Sequence, residues 1–424
     1  MTTLPTSSAT SWRAPFSIKS FKYQWSSDLM ASWAFEMESI ILGWYILVES
    51  GSVLMLVAFG ALQFFGSLLS PLFGVLGDRV GFIRMYWISR AFFTVIAGLL
   101  MLFSWGQMLS PTLVLFLAGL VGMIRPSDLM MRNTLIAQSL PSNQLMKALG
   151  VSRITMDSAR IAGALFGAGV VTLLGMSWAY VFVTSLYFAS FYLARIVKKS
   201  QITSTADLPT KNITQLTPAR DLVLGMSYVW NRPVILGAMS TALLINLFAF
   251  PFVLGLLPYV AKNIYFTDQT GLGFLSASFA SGALIGSVIL SSGRIKFKAA
   301  KTMIISSCAW FLLDLMFAFN TYMALGMAIL CLAGLSQSLC VTPLSAVMLR
   351  SSESAYRGRV MGLRMLAVWG LPTGLLLAGP LINQFGFSAT TVFYSSLGIF
   401  LTVAMTLRWR SDLWSNEAPG NSAF

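Results

Sequence analysis

The sequence has 424 residues, of which 56% are hydrophobic and only 10% charged, and its mean hydropathy is +0.76. Soluble domains carry roughly 25% charged residues, so this chain lacks the polar side chains that a water-facing surface needs. The formal charge of +14 would suit a nucleic-acid partner, but the spacing of the basic residues points to a lipid bilayer instead.

Residues 1–23 are rich in Ser and Thr and hold no apolar run of about 7–15 residues, so they read as a cytoplasmic tail and not as a cleaved signal. Apolar blocks then follow one another. Stretches free of any charge, such as Gly51–Gly77, Leu236–Val260 and Ala389–Leu407, match the roughly 20 residues that span a bilayer as a helix. Lipid cannot hydrogen-bond an exposed backbone, so such blocks must be helical. Punctuation by Gly, Pro and charge predicts twelve spans, at 24–49, 52–76, 83–106, 111–138, 153–175, 177–197, 232–257, 270–292, 301–320, 323–349, 360–383 and 389–408. The expected fold is an all-α membrane protein with two pseudo-symmetric bundles of six helices, 24–197 and 232–408. A polar linker at 198–231 joins them, and a second cytoplasmic tail occupies 409–424.

Charge sets the orientation. Arg13, Lys19 and Lys22 precede the first span, Arg79 and Arg84 follow the second, and Lys147 and Arg153 follow the fourth. Arg294, Lys296, Lys298 and Lys301 follow the eighth, Arg357 and Arg359 the tenth, and Arg408 and Arg410 the last. With twelve spans all of these fall on one side, against little more than Lys262 on the other. That asymmetry predicts both termini in the cytoplasm and a place in the bacterial inner membrane. It also argues against a nucleic-acid role.

The halves echo each other. Pro126 and Arg132 near the end of span four precede Gly163, Gly167 and Gly169 in span five; Pro343 and Arg350 near the end of span ten precede Gly374 and Gly379 in span eleven. Two such halves are the plan of an alternating-access carrier with its substrate at the midplane. One chain then completes the site, so a monomer is expected.

Between spans two and three lies Gly74-Val-Leu-Gly77-Asp78-Arg79-Val-Gly81-Phe-Ile-Arg84. This segment resembles the loop signature of the major facilitator superfamily, and the likeness in span order extends from Phe21 to Arg408. The resemblance implies a cytoplasmic latch between the halves, carried by Asp78 and Arg79, with Gly74, Gly77, Gly81 and Arg84 shaping the turn. Phe82 and Ile83 stand where the family usually has a basic residue, which implies a weaker latch. Ala219–Pro233, Gly271-Leu-Gly273, Arg357-Gly-Arg-Val-Met-Gly362 and Asp157-Ser-Ala-Arg160 through Gly167 further resemble the branch of enterobactin exporters and macrolide-efflux carriers. That likeness implies secondary active export of a small amphipathic molecule. Uptake by symport or facilitation is the alternative, followed by a membrane sensor that has lost transport.

Ionisable groups within a membrane are costly, by roughly 2.5–3.5 kcal/mol on insertion scales, and are functional candidates by default. Span one carries Glu36 and Glu38, roughly 13–16 Å deep, and Arg125 in span four lies at a comparable depth. A carboxyl removed from water holds its proton more tightly and a nearby cation loosens it. One glutamate and Arg125 are therefore candidates for proton coupling, and the resemblance agrees, since drug antiporters of the superfamily often hold an acid in the first span and an arginine in the fourth. The two glutamates sit about 200° apart around a helix, so only one should face a cavity, and Glu38 is preferred. A static ion pair that fixes packing is the alternative. Asp128 and Arg132 read as a structural i,i+4 pair, Arg160 is open between Asp157 and the cavity, and Asp314 has no assigned role.

Tyr45, Gln63, Asn246 and Gln337 are candidates for substrate contact, with interhelical hydrogen bonds as the alternative. Gly163, Gly167 and Gly169 lie in an apolar run with no preceding strand, so they read as helix-packing positions and not as a phosphate loop. Cys308, Cys331 and Cys340 all fall in apolar spans and form no CxxC pair, and there is no histidine. These features predict no metal, no cofactor and no enzymatic nucleophile.

Overall fold

The computed structural model describes residues 14–69, 80–197, 218–291, 298–353 and 356–410, and among these every regular element is helical. Eight helices are long and apolar enough to cross a membrane, or nine when the bent pair Leu224–Trp230 and Pro233–Phe248 is taken as one span. Three physical details account for the remaining expected spans. The first helix, α1 (Lys19–Ser50), carries Asp28, Glu36 and Glu38 in its body, too many charges to count as apolar. The second, α2 (Val53–Leu62), is short and continues as a 3-10 helix at Phe65–Leu69 into residues outside those described. The last run, Gly370–Arg408, is broken at Gly386, whose φ of 81° divides two helices.

By contact the chain forms two compact units, one of residues 1–210 with 258–277 and one of 211–257 with 278–424. In the first unit, α1 is the hub. It ends at Gly51, whose left-handed conformation lets its N–H return to the Leu47 carbonyl. Around it stand α2, α3 (Phe82–Trp105), α4 (Pro111–Ser139), α5 (Ser142–Leu174) and α6 (Met176–Ile196). Small residues set the closest approaches. A Cβ on Gly66 would collide with the Met123 carbonyl, and one on Gly122 with the Leu62 carbonyl, so α2 and α4 meet backbone to backbone. Pro126 sits inside α4 and brings no N–H, which frees the carbonyl one turn earlier from its helical bond.

The second unit begins with α7 (Pro218–Trp230), which lies within the segment expected as linker and bends by 105° into α8 (Pro233–Phe248). It is fastened to the start of α14 (Arg357–Ala367) and to the residues just before it. The Tyr228 and Tyr356 rings stack at 4.1 Å, and Arg232 pairs with Glu353. Past α8 the chain is broken into α9 (Phe250–Leu254) and α10 (Leu257–Asn263), then runs through α11 (Gln269–Ser291), α12 (Ala299–Ala318) and α13 (Met323–Ser351). Gly370 and Gly374 of the last run, α15, press against the α8 backbone.

Candidate functional site

The charged side chains of the first unit sort into two groups along α1. Ten residues separate Asp28 from Glu38, about 15 Å of helix. At the Asp28 level four charges close on one another. Arg90 of α3 reaches Asp28 at 2.8 Å and Asp128 of α4 at 3.0 Å, and Arg132 reaches the same two carboxylates at 3.2 and 2.8 Å. Tyr86 donates to Asp28 at 2.7 Å and Arg132 donates to Ser32 at 2.9 Å. Two cations and two anions share this buried volume, so its net charge is zero. Such a group ties α1, α3 and α4 together with its charges matched.

Around Glu36 and Glu38 the arrangement is different. Glu36 turns toward α5, where Arg160 lies 3.6 Å from its carboxylate and a Cβ on Gly163 would press on the Glu36 side chain. Glu38 turns the other way and accepts a hydrogen bond of 3.0 Å from the Tyr187 hydroxyl of α6. Arg125 of α4 lies over the face of the Phe35 ring and, among the described residues, forms no ion pair. Its neighbouring carboxylates are already engaged: Glu36 by Arg160, Asp128 by Arg90 and Arg132, and Glu38 by a neutral hydroxyl. One acid and one base on adjacent helices are therefore left out of the ion pairs, and they are not paired with each other.

Glu38 also lines a small cavity of about 20 Å³, room for roughly one water molecule. Phe35, Leu42, Phe59, Ile96, Leu117 and Val121 give it apolar walls, and Ser39 and Gln63 are the other polar side chains there. Val121 lies one helical turn before Arg125, so the guanidinium sits at the edge of this space, against a ring that forms its wall.

The sequence profile of the Major Facilitator Superfamily matches residues 25–373, most of the chain. The protein belongs to this superfamily. Comparison with proteins of curated function finds no match. Three solved structures share the fold. One is a bacterial homologue of the human lysosomal transporter Spinster, inward-facing and unoccupied, with 11% identity over 97% of this chain and 100% of that one and a TM-score of 0.71. The second is a D-xylose–proton symporter, with 13% identity over 91% and 96% and a TM-score of 0.70. The third is a nucleoside transporter, with 14% identity over 92% and 99% and a TM-score of 0.70. At these identities the likeness is one of fold. The chain is thus a multi-pass, non-enzymatic membrane transporter for a small-molecule substrate.

Other features expected of a major facilitator carrier are placed as follows. Of the latch residues, Gly74, Gly77, Asp78 and Arg79 lie outside the described residues; Gly81 precedes α3 with φ 94° and Arg84 is exposed. Gly163 and Gly167 lie against the α1 backbone at Trp33 and Met37, whereas a Cβ on Gly169 would meet open space. The reading of Gly169 as a packing position is therefore corrected, because it lies two residues beyond Gly167 and points away from α1. Gln63 lines the cavity beside Glu38. Tyr45 donates to the Leu109 carbonyl at 2.9 Å, and Asn246 bonds the Ala242 carbonyl of its own helix at 2.8 Å. Gln337 is buried in α13, with Oε1 lacking a hydrogen-bond partner. Arg160 pairs with Glu36, while Arg153 reaches Asp157 at 3.2 Å. Asp314 is buried in α12 with Oδ2 unbonded.

Asp28, Arg90, Tyr86 and Tyr187 were not singled out from sequence. Asp28 and Arg90 sit inside predicted spans one and three, so the rule that selects Glu36, Glu38 and Arg125 selects them too. The tyrosines carry no such signal, since a tyrosine in an apolar span reads as core.

Proposed function

We propose that this carrier couples substrate movement to protons, with Glu38 as the proton-binding group and Arg125 as its switching partner. The observation that supports this is the pair left over: among the described residues Glu38 hydrogen-bonds the Tyr187 hydroxyl and neither Glu38 nor Arg125 forms an ion pair. In this reading Glu38 is protonated while Arg125 is away from it. When the bundle rearranges and Arg125 swings to Glu38, the ion pair stabilises the carboxylate and the proton leaves. A carrier that alternates between these arrangements moves a proton in each cycle.

Charge asymmetry along the chain supports an inner-membrane carrier with both termini in the cytoplasm, and the two echoing halves of one chain support a monomer. The likeness to efflux carriers favours export of a small amphipathic molecule by antiport. A second reading is uptake by symport, since a D-xylose–proton symporter shares the fold.

The test is proton movement in proteoliposomes holding the purified carrier and an internal pH dye. An imposed pH gradient is challenged with amphipathic drugs, siderophores and amino acids. Substrate-triggered proton flux that Glu38→Gln abolishes is the expected result, and its sign separates antiport from symport. Substrate flux with no accompanying proton movement would reject the coupling.

A further inference from the structure

We propose that α7 (Pro218–Trp230) lies along the bilayer surface and seats on acidic phospholipid headgroups. The inference goes beyond the proposed function and takes from it only which leaflet is meant, the cytoplasmic one. The first observation is direction. Helix α8 opens the seventh expected span, and α7 is bent away from it by 105°. A helix at that angle to a spanning helix does not itself cross the bilayer; it runs close to the membrane plane.

The second observation is the face that α7 presents. Apolar residues recur at 222, 223, 226, 229 and 230, the spacing of one helical stripe. Helix α14 covers only part of that stripe. Gly225 and Val229 are buried, and a Cβ on Gly225 would stand 3.1 Å from the Leu363 side chain and 3.3 Å from that of Arg359. Met226 and Trp230 lie beside them and are 45% and 70% exposed. Ser227 and Asn231, also exposed, take the polar side, where Leu224 is an apolar exception. An amphipathic helix with a tryptophan on its apolar flank has the form of an interfacial helix.

The third observation is charge. Segments 218–232 and 350–364, which meet where α7 packs on α14, hold six arginines against Asp221 and Glu353. An aromatic column fixes two of the guanidiniums at the level of α7. Arg232 lies over the Tyr228 ring at 4.6 Å, Tyr228 stacks on Tyr356 at 4.1 Å, and Arg359 lies over Tyr356 at 5.3 Å. Glu353 pairs with Arg232, and its N–H donates to the Tyr228 hydroxyl at 3.0 Å. The surplus across the two segments is positive, and acidic headgroups are its complement.

Spin labels on the full-length carrier test the seat. Met226→Cys, Ser227→Cys, Trp230→Cys and Asn231→Cys are made where Cys308, Cys331 and Cys340 are replaced by Ala, and only labelled proteins that keep the Tm of the unlabelled carrier are used. Each enters nanodiscs of phosphatidylcholine with or without phosphatidylglycerol. Collisions with oxygen, which concentrates in lipid, are compared with collisions with a water-soluble nickel chelate. With phosphatidylglycerol present we expect oxygen to dominate at 226 and 230 and the chelate at 227 and 231. The labels at 226 and 230 should shift toward water in pure phosphatidylcholine or at high salt, because ions screen surface charge. Chelate dominance at 226 and 230 would place α7 in water, shielding from both reagents would place protein over it, and oxygen dominance at all four would sink it into the bilayer core; each overturns the inference. Equal depth with and without phosphatidylglycerol would reject acidic headgroups as the partner. A second measurement keeps the native cysteines: brominated phosphatidylglycerol should quench the fluorescence of the wild type more than that of Trp230→Phe, and equal quenching would overturn the inference. None of these readouts depends on Glu38, so the membrane seat and the proton coupling fail separately.

Discussion

Two charged groups share helix α1, built from the same residue types and set about 15 Å apart. At Asp28, two carboxylates and two guanidiniums interlock across α1, α3 and α4 with every charge matched. At Glu38, the ion pair of Glu36 with Arg160 is loose and partly open, and Glu38 and Arg125 stand outside it. A matched group has one low-energy arrangement and behaves as a clamp. An unmatched acid and base have two, apart or together, and a proton or a ligand decides between them. What distinguishes structure from function here is therefore not burial or residue type but whether the charges are already satisfied.

The comparison is broken most severely from the clamp side. Arg90→Met leaves Asp28 and Asp128 sharing one cation, and removing one member of a buried ion group costs about 3–5 kcal/mol. A large fall in Tm and in the yield of folded carrier is expected. Next in size, Glu38→Gln should leave folding intact and reduce proton-coupled flux by at least about tenfold, equivalent to ~1.4 kcal/mol. Flux assays on protein matched for Tm check it. Arg125→Met sharpens the contrast, because it removes a cation that has no ion pair. It should abolish coupling yet raise stability by about 1 kcal/mol, the recovered desolvation exceeding the lost contact with Phe35. A destabilised Arg125→Met would place Arg125 with the clamp. The smallest effect is at Tyr187→Phe, which removes one hydrogen bond worth ~0.5–1.5 kcal/mol. In a double-mutant cycle of thermal unfolding this loss should vanish when Glu38 is already Leu, which has no acceptor for the Tyr187 hydroxyl.

Much of this was legible in the sequence. Charge-free blocks and one-sided basic loops follow from the chemistry of the bilayer, and the expected spans and the special status of Glu36, Glu38 and Arg125 come from them, while the family came from the resemblance of the Gly74–Arg84 loop. Which charge meets which was not legible. Glu36 and Glu38 are two residues apart and Arg125 could have served either. The outcome depends on Gly163 admitting α5 against one side of α1, and on Tyr187 of α6 reaching the other. The break of the last run at Gly386 was anticipated as a gap between spans. The helix inside the expected linker, Pro218–Trp230, was hidden because the polar stretch before it and the charges Arg220 and Asp221 made the whole segment read as linker.

The measurement closest to the central claim needs no substrate. Infrared difference spectroscopy of the purified carrier, taken across a pH titration, reports the C=O stretch of protonated carboxyls. Asp314→Asn serves as the background, to set aside a buried acid that has no ion pair among the described residues. The account predicts a titrating band that is absent in Glu38→Gln and unchanged in Glu36→Gln. A band that persists in Glu38→Gln would contradict it, and would make Glu38 a fixed polar contact of Tyr187 instead of the carrier's proton site.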